Sequence, residues 1–226
     1  MIITIDGPAG TGKSTVAKNL ADDIGYTYFD TGAMYRAITY AIMKNKIDFE
    51  NKEALQAFLD ANPVTIESHF NNKRIFVGKE DVSAHIRLKE VTDLVSKVSA
   101  IQAVREKLVA TQRALAEGVN AVFEGRDMGT VVFPDADVKI FLTATAEERA
   151  KRRYNELKAN DPNLTLDTVF ADIKRRDDYD ASRDISPMRP ADDATIIDTS
   201  TMTVDQVVNR IINITKELQD KPLTQS

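Results

Sequence analysis

The chain has 226 residues, 42% of them hydrophobic and 29% charged, a balance that predicts one large folded domain. It contains no cysteine and two histidines, which excludes a disulfide framework, a thiolate metal centre and a cysteine nucleophile. The longest apolar run has four residues, against ~20 for a membrane span, and the first residues do not resemble a secretory leader. We therefore expect a cytoplasmic protein without membrane contact, and the net charge of −5 argues against bulk binding to nucleic acid.

Short apolar stretches alternate along the chain with segments of helical spacing. Five of these stretches predict buried strands, at residues 2–5, 26–30, 121–124, 138–142 and 194–198. Apolar residues three and four apart predict helices at residues 13–24, 33–45, 101–115 and 204–218. This alternation predicts an α/β fold whose parallel sheet is covered by helices on both faces.

Residues 63–82 depart from this alternation. Residues 64–67 and 74–77 have the pattern of strands, with Asn71 and Asn72 as turn formers between them and Gly78 at a second turn. We interpret this stretch as a small antiparallel β insert.

The strongest motif lies between the first predicted strand and the first predicted helix. It matches G-x-x-x-x-G-K-[ST] and consists of Gly7, Pro8, Ala9, Gly10, Thr11, Gly12, Lys13, Ser14 and Thr15. Glycines allow such a loop to turn its N–H groups around a phosphate, and the helix N-terminus adds its dipole. The motif predicts binding of ATP, with Lys13 bridging the β- and γ-phosphates and Ser14 holding Mg²⁺.

Two classes of protein share this loop: small-molecule kinases, and switches or motors that hydrolyse the nucleotide. Strings typical of GTPases occur at residues 45–48 (N-K-x-D) and 22–25 (D-x-x-G). Both lie at the ends of helical patterns close to the phosphate loop, so we interpret them as chance matches. A nucleotide-hydrolysing switch is the alternative from a different class.

Two polar clusters follow predicted strands and indicate an acceptor site. Residues 30–36 follow the second strand and residues 124–129 the third, and each cluster contains an arginine, Arg36 or Arg126. The carboxyl ends of parallel strands form the ligand-binding edge of such a sheet, so we expect both arginines there. A guanidinium can hold a phosphate with two parallel hydrogen bonds and position an acceptor for in-line transfer.

Residues 149–185 are rich in arginine and predict a lid. Transfer between two polyphosphates concentrates negative charge, which arginines on a closing segment would neutralise while excluding water. Arg176, Asp180 and Arg183 are spaced i, i+4 and i+7, which predicts one helical face with a carboxylate between two cations. The candidate catalytic residues are Lys13, Arg126, Arg149, Arg153, Arg176 and Arg183, and Arg152 is assigned to the ATP site.

Four stretches together closely resemble the bacterial cytidylate kinase family: residues 7–15, 30–36, 125–136 and 175–187. The sequence GRDMGTVVFPDA at 125–136 is the most specific of them, and the resemblance runs from residue 2 to residue 215. It implies a P-loop NTPase three-layer fold with a five-stranded parallel sheet, the β insert and a helical lid. The single kinase domain would have a core at residues 1–30, 118–148 and 190–220, a monophosphate-binding region at 31–117 and a lid at 149–185.

The resemblance also implies the substrates and the residues that bind them. The family phosphorylates CMP and dCMP with ATP and Mg²⁺, and it suggests a monomer. Its functional positions are occupied here by Arg36, Arg126 and Arg183 for the CMP phosphate, Ser96, Arg105 and Asp127 for cytosine, Asp180 for the ribose with Arg176 beside it, and Tyr35 and Thr31 for the nucleoside pocket. Thr31 stands where the family often has serine, and its hydroxyl retains the contact.

The chemistry of cytosine agrees with this assignment. Its N4 amine is complementary to a carboxylate acceptor, whereas uracil presents a carbonyl at the same place. If Asp127 reads this amine, UMP would leave a buried carboxylate unpaired, at a cost of about 1–3 kcal/mol. We therefore expect CMP and dCMP to be preferred over UMP, and a kinase for UMP or another nucleoside monophosphate is the closest alternative.

Overall fold

The computed structural model describes residues 1–69, 72–159 and 161–219. In chain order, its strands are β1 (Ile2–Asp6), β2 (Thr27–Asp30), β3 (Val64–His69), β4 (Asn72–Val77), β5 (Glu80–Asp81), β6 (Ala121–Glu124), β7 (Val138–Thr143) and β8 (Thr195–Asp198). Its α-helices are α1 (Lys13–Ile24), α2 (Thr31–Lys44), α3 (Lys52–Ala61), α4 (Lys89–Val98), α5 (Gln102–Leu115), α6 (Ala146–Leu157), α7 (Leu166–Ala181) and α8 (Val204–Gln219). A π-helical turn covers Met128–Val132.

The chain divides into two compact units, which we call the core unit (Met1–Phe29 with Gly118–Ser226) and the insert unit (Asp30–Glu117). The core unit carries the five-stranded parallel sheet in the order β2-β6-β1-β7-β8. Strand β1 lies at its centre and pairs in parallel with β6 and β7. All five predicted strands are present, and the predicted α/β fold is confirmed.

The centre of the sheet is buried on both faces. On one face, Ile3 and Ile5 pack with Leu20 of α1 and Ile211 of α8, and all four side chains have no exposed surface. Burying each side chain of this size contributes about 1.5–3 kcal/mol. Because the faces are covered, the carboxyl ends of the strands are the part of the sheet left for ligands.

The insert unit contains α2 to α5 and the antiparallel sheet β3-β4-β5. In this sheet Val64 lies opposite Val77, which confirms the predicted β insert. The second predicted turn is also present, with Gly78 at φ +60° and its N–H donating to the carbonyl of Pro63 at 2.9 Å. The first predicted turn includes Asn71, which lies outside the described residues. Among the described helices, each is too short or too polar to cross a bilayer.

Candidate active site

The phosphate-loop motif lies between β1 and α1, as predicted. Gly7, Gly10 and Gly12 have φ values of +141°, +79° and +88°, which L-residues with side chains rarely adopt. A Cβ at Gly7 would lie 2.1 Å from the carbonyl oxygen of Leu142, so the loop passes β7 at a distance that only glycine permits. The backbone conformation therefore favours glycine at all three positions, and at Gly7 the space available requires it as well.

Lys13 begins α1 and is only 6% exposed. Its Nζ donates a hydrogen bond of 2.6 Å to the carbonyl oxygen of Pro8, so the side chain curls back over the loop. Burial and the nearby Arg126 guanidinium lower the pKa of Lys13 well below its usual range, and Arg176 acts in the same direction. Glu124 and Asp6 oppose this shift. Like these two carboxylates, a bound anion would favour the ammonium form of Lys13.

Ser14 is held by a carboxylate that ends the neighbouring strand. Its Oγ donates to Glu124 Oε2 at 2.9 Å, and the hydroxyl of Tyr28 donates to Glu124 Oε1. Glu124 is 4% exposed. Serine hydroxyl and carboxylate oxygens are the hard ligands that suit Mg²⁺, so these residues fit the ion that the loop motif implies.

Arg149, predicted as a cation of the 149–185 lid, is buried against the phosphate loop. Its Nε donates to the carbonyl of Ala144 at 3.1 Å and its Nη1 to the carbonyl of Ala9 at 3.2 Å. The same Nη1 pairs with Asp177, which accepts the Ala9 N–H at 3.4 Å. Arg149 and Asp177 thus fix both polar groups of one loop residue, so Arg149 supports the loop in this conformation.

Arg152 also contacts the loop. Its guanidinium donates to the carbonyl of Thr11 at 3.4 Å and to the hydroxyl and carbonyl of Thr199 at 3.0 and 2.5 Å. Thr199 is 2% exposed, and its hydroxyl also lies 3.2 Å from the Thr11 carbonyl. The segment after β8 therefore joins α6 to the loop through Thr199.

Arg153 lies elsewhere. It pairs with Glu156 one turn along α6 at 2.9 Å, just as Arg175 pairs with Asp172 on α7. Exposed pairs of this kind contribute 0 to about 1 kcal/mol. Arg153 would have to leave Glu156 to reach a phosphate.

Asp180 joins two of the predicted phosphate-binding arginines. Its carboxylate accepts from Arg126 Nε at 3.4 Å and pairs with Arg183 through the other oxygen. The Asp180 and Arg183 side chains are 3% and 7% exposed, and the Arg183 guanidinium lies 5.6 Å from the ring centre of Tyr179. Asp180 thus lies between two cations, Arg126 and Arg183.

The predicted helical face through Arg183 is wrong. Helix α7 ends at Ala181, so Arg183 lies beyond it. Ser186 then has φ +55° immediately before Pro187, a position where proline disfavours helical backbone. The chain turns back, and Arg183 meets Asp180 from outside the helix.

In the insert unit, Arg105 contacts the predicted substrate residue Tyr35 and, through Ser99, is linked to Ser96. Arg105 is 4% exposed, lies 5.7 Å from the ring centre of Tyr35 and donates to the Ser99 carbonyl at 3.3 Å. The Ser99 hydroxyl donates to the carbonyl of Ser96 at 3.1 Å. The helix ends of α4 and α5 therefore bring Ser96 and Arg105 into one neighbourhood.

The other two predicted substrate residues of the insert unit, Thr31 and Arg36, lie near the start of α2. Asp30 caps the helix by accepting the Ala33 N–H at 2.9 Å, and Thr31 follows with 1% exposure. The Arg36 guanidinium lies over Gly32, where an added Cβ would be 3.1 Å from its Nη1. Glycine at this position leaves the space that Arg36 occupies.

Sequence reasoning missed Glu124, Asp177 and Thr199. Glu124 had a signal, because an acidic residue ending a strand beside a phosphate loop is suited to bind its metal ion. Asp177 and Thr199 had none, since their partners in the loop are 168 and 188 residues away.

A parallel five-stranded sheet with this loop after its central strand defines the fold of the chain as that of a P-loop NTPase. The solved structure of shikimate kinase from Acinetobacter baumannii shares this fold, with a TM-score of 0.50 at 14% identity, over 97% of this chain and 95% of that one. The family model for cytidylate kinase matches residues 3–217, and the chain belongs to that family.

Relatives named cytidylate kinase match over nearly their full lengths. The protein from Protochlamydia amoebophila is 56% identical over 225 residues, covering 98% of this chain and 99% of its own. The protein from Halalkalibacterium halodurans is 44% identical over 217 residues, covering 96% and 98%. The family resemblance read from the sequence is therefore confirmed.

Proposed function

We propose that this protein transfers the terminal phosphoryl group of ATP to CMP and dCMP, forming CDP and dCDP. The observation that carries the proposal is the match to the cytidylate kinase family across residues 3–217. The phosphate loop and its buried Lys13 support it, and membership of a kinase family disfavours the nucleotide-hydrolysing switch.

On the donor side, the backbone N–H groups from Gly10 to Ser14 would bind the phosphates, and Lys13 Nζ would leave the Pro8 carbonyl to neutralise them. Arg152 and Thr199 would support the loop from the side of α6. Bound Mg²⁺ would add positive charge at the transferred phosphoryl group. Ser14 and Glu124 are the residues that would hold it, and Tyr28 would orient Glu124.

For the acceptor, the family resemblance assigns Arg36, Arg126 and Arg183 to the CMP phosphate and Asp180 to the ribose. It assigns Ser96, Arg105 and Asp127 to cytosine, and Tyr35 and Thr31 to the nucleoside pocket. Arg176, whose charge lowers the pKa of Lys13, would neutralise negative charge between the two substrates. Arg149, already beside the loop, and Arg153, on closure of the lid, are proposed as further neutralising cations.

The acceptor oxygen of a nucleoside monophosphate is already anionic, so the protein needs to supply no nucleophile. Its task is to align the two phosphates and to neutralise the charge between them. The pairing of Arg126 and Arg183 with Asp180 keeps two cations oriented at fixed positions. Such preorganisation avoids reorganising charge during the transfer.

The proposal is tested by ADP release from ATP and Mg²⁺ with CMP, dCMP, UMP, AMP and GMP offered separately, beside a control without acceptor. We expect release only with an acceptor, and fastest with CMP or dCMP. Release without acceptor would indicate a hydrolase, and faster turnover of UMP or AMP would indicate a different monophosphate kinase.

The Asp180→Ala variant is expected to weaken CMP binding much more than ATP binding. The carboxylate holds two arginines and is assigned to the ribose, and loss of a hydrogen bond to a charged group costs about 1.5–3 kcal/mol, or roughly 10- to 150-fold. Calorimetric titration with each nucleotide measures the two losses separately. Asp178→Ala, at an exposed position on the same helix, is the matched control. Equal losses for both nucleotides would contradict the assignment.

We further propose that the enzyme acts as a cytoplasmic monomer on small molecules, without nucleic acid or membrane partners. The acidic net charge argues against bulk binding to nucleic acid, and the family resemblance suggests the monomer. Size-exclusion chromatography with light scattering tests the monomer, for which the expected mass is 25.1 kDa.

A further inference from the structure

Strand β1 carries two buried polar side chains on the face opposite Ile3 and Ile5. Thr4 is 0% exposed and Asp6 4% exposed. Burying a carboxylate is costly unless its oxygens accept hydrogen bonds. The face of β1 that bears Asp6 must therefore meet donors in the structure.

Those donors are two successive backbone N–H groups of the π-helical turn. The N–H of Met128 donates to Asp6 Oδ1 at 2.9 Å, and that of Gly129 donates to Asp6 Oδ2 at 2.8 Å. The first donor belongs to the peptide group that joins Asp127 to Met128. Asp6 thus holds the backbone directly attached to Asp127, one residue beyond Arg126.

The turn is also seated closely on β1. A Cβ at Gly129 would lie 3.1 Å from the hydroxyl oxygen of Thr4 and 3.3 Å from Cδ of Lys139. The turn therefore rests on the strand by packing at Thr4 and by hydrogen bonds at Asp6. Thr4 and Asp6, two residues apart on one face of β1, thus make physically different contacts with the same turn.

Electrostatics agrees with a close approach of the two carboxylates. Burial raises the pKa of Asp6 to about 7, the two backbone N–H groups lower it, and the charge of Asp127 raises it. The Asp127 side chain is thus near enough to Asp6 to repel it. The hydrogen bonds to the turn hold the two side chains in this arrangement.

We propose that Asp6 is a positioning residue for base recognition, which fixes the Asp127–Met128 peptide and thereby the direction in which Asp127 presents its carboxylate. This rests on the proposed function, in which Asp127 reads cytosine. Asp6 also directly precedes Gly7, the first residue of the phosphate loop. The end of β1 therefore holds the phosphate loop by a peptide bond and the turn that carries Asp127 by the Asp6 side chain.

The test is the ratio of kcat/KM for CMP to that for UMP in Asp6→Asn. The asparagine side-chain oxygen can accept a hydrogen bond from one of the two N–H groups. Its NH₂ group is itself a donor and cannot accept a hydrogen bond from the other N–H. We expect the ratio to fall at least about tenfold, because a polar base reader discriminates only while its hydrogen bonds are aligned. The ratio does not depend on the fraction of enzyme that is folded, so a general loss of stability leaves it unchanged.

Thr4→Val is the matched control, since it alters the packing contact with Gly129 and leaves the hydrogen bonds to the turn. Its ratio is expected to equal that of the unaltered protein. Asp6→Ser, whose shorter side chain places no oxygen where the carboxylate oxygens lie, is the second variant and is expected to lose selectivity as Asp6→Asn does.

The outcomes are distinct. An unchanged ratio in the Asp6 variants, or an equal fall in Thr4→Val, would overturn the positioning role. Failure of both Asp6 variants to fold would also overturn it and make Asp6 a folding residue. If the unaltered protein itself does not prefer CMP, the proposed function fails instead.

Discussion

Lys13→Ala is expected to lose nearly all turnover, with a fall in kcat on the order of 10²–10³-fold or more. Lys13 Nζ is the cation that the fold places inside the phosphate loop, where it is 6% exposed and held on the Pro8 carbonyl. In so buried a place a positive charge stabilises the transferred phosphoryl group far more than it would in water. Rapid-quench measurement of a single turnover checks the chemical step directly.

Lys18→Ala is the control for this substitution. Lys18 lies on the same helix, α1, and is exposed. We expect it to keep full turnover, and we expect Lys13→Ala to retain its affinity for CMP. If Lys13→Ala kept its single-turnover rate and only bound ATP more weakly, Lys13 would be a binding residue without a role in the chemical step.

Local patterns were sufficient to predict the scaffold of the core unit. The β-branched run at residues 2–5, the glycine motif and the helical spacing that follows are adjacent in sequence, so each supports the interpretation of the next. The predicted bounds of α1, Lys13 to Ile24, are those of the structure. Short helices were less readable: α3 and α4 have ten residues each and bury only two or three apolar side chains.

The candidate site was predictable where residues follow strand ends and not where they meet across the fold. Arg126 and Arg36 could be nominated from their place after strands. The contacts of Ser14 with Glu124, and of Ala9 with Asp177, join residues 110 and 168 positions apart, and no local spacing encodes them. Ser96 and Arg105 came from the family resemblance, because their helical surroundings gave no sign of a role.

Arg183 shows how a local pattern can mislead. Its spacing from Asp180 suits a helix, yet α7 ends two residues before it. The pairing of Asp180 with Arg183 survives because i and i+3 are close both in a helix and in the turn that follows it. The prediction of the contact was therefore right and that of the backbone wrong.

Gly7→Ala is expected to destabilise the protein strongly, because both the backbone conformation and a steric clash oppose a side chain at this position. The backbone at Gly7 has φ +141°, and the added Cβ would lie 2.1 Å from the Leu142 carbonyl oxygen. Strained backbone costs about 1–3 kcal/mol and overpacking a further 1–3 kcal/mol. Because each kcal/mol lowers Tm by roughly 2–4 °C at this chain length, the expected fall is about 4–24 °C.

Gly25→Ala separates the two causes. Gly25 ends α1 with φ +70° and has no atom within 4 Å of an added Cβ, so the substitution strains the backbone without a clash. In thermal unfolding without nucleotide, the Tm of Gly7→Ala should therefore lie well below that of Gly25→Ala.

Relief of the clash requires the loop to move away from β7, and a shift of about 1 Å at a reacting group can cost 10²-fold in rate. Gly7→Ala should thus also lose turnover in its folded fraction, whereas Gly25→Ala should keep it. Equal Tm values would mean that β7 yields to the side chain, and that the close approach of Leu142 does not position the loop.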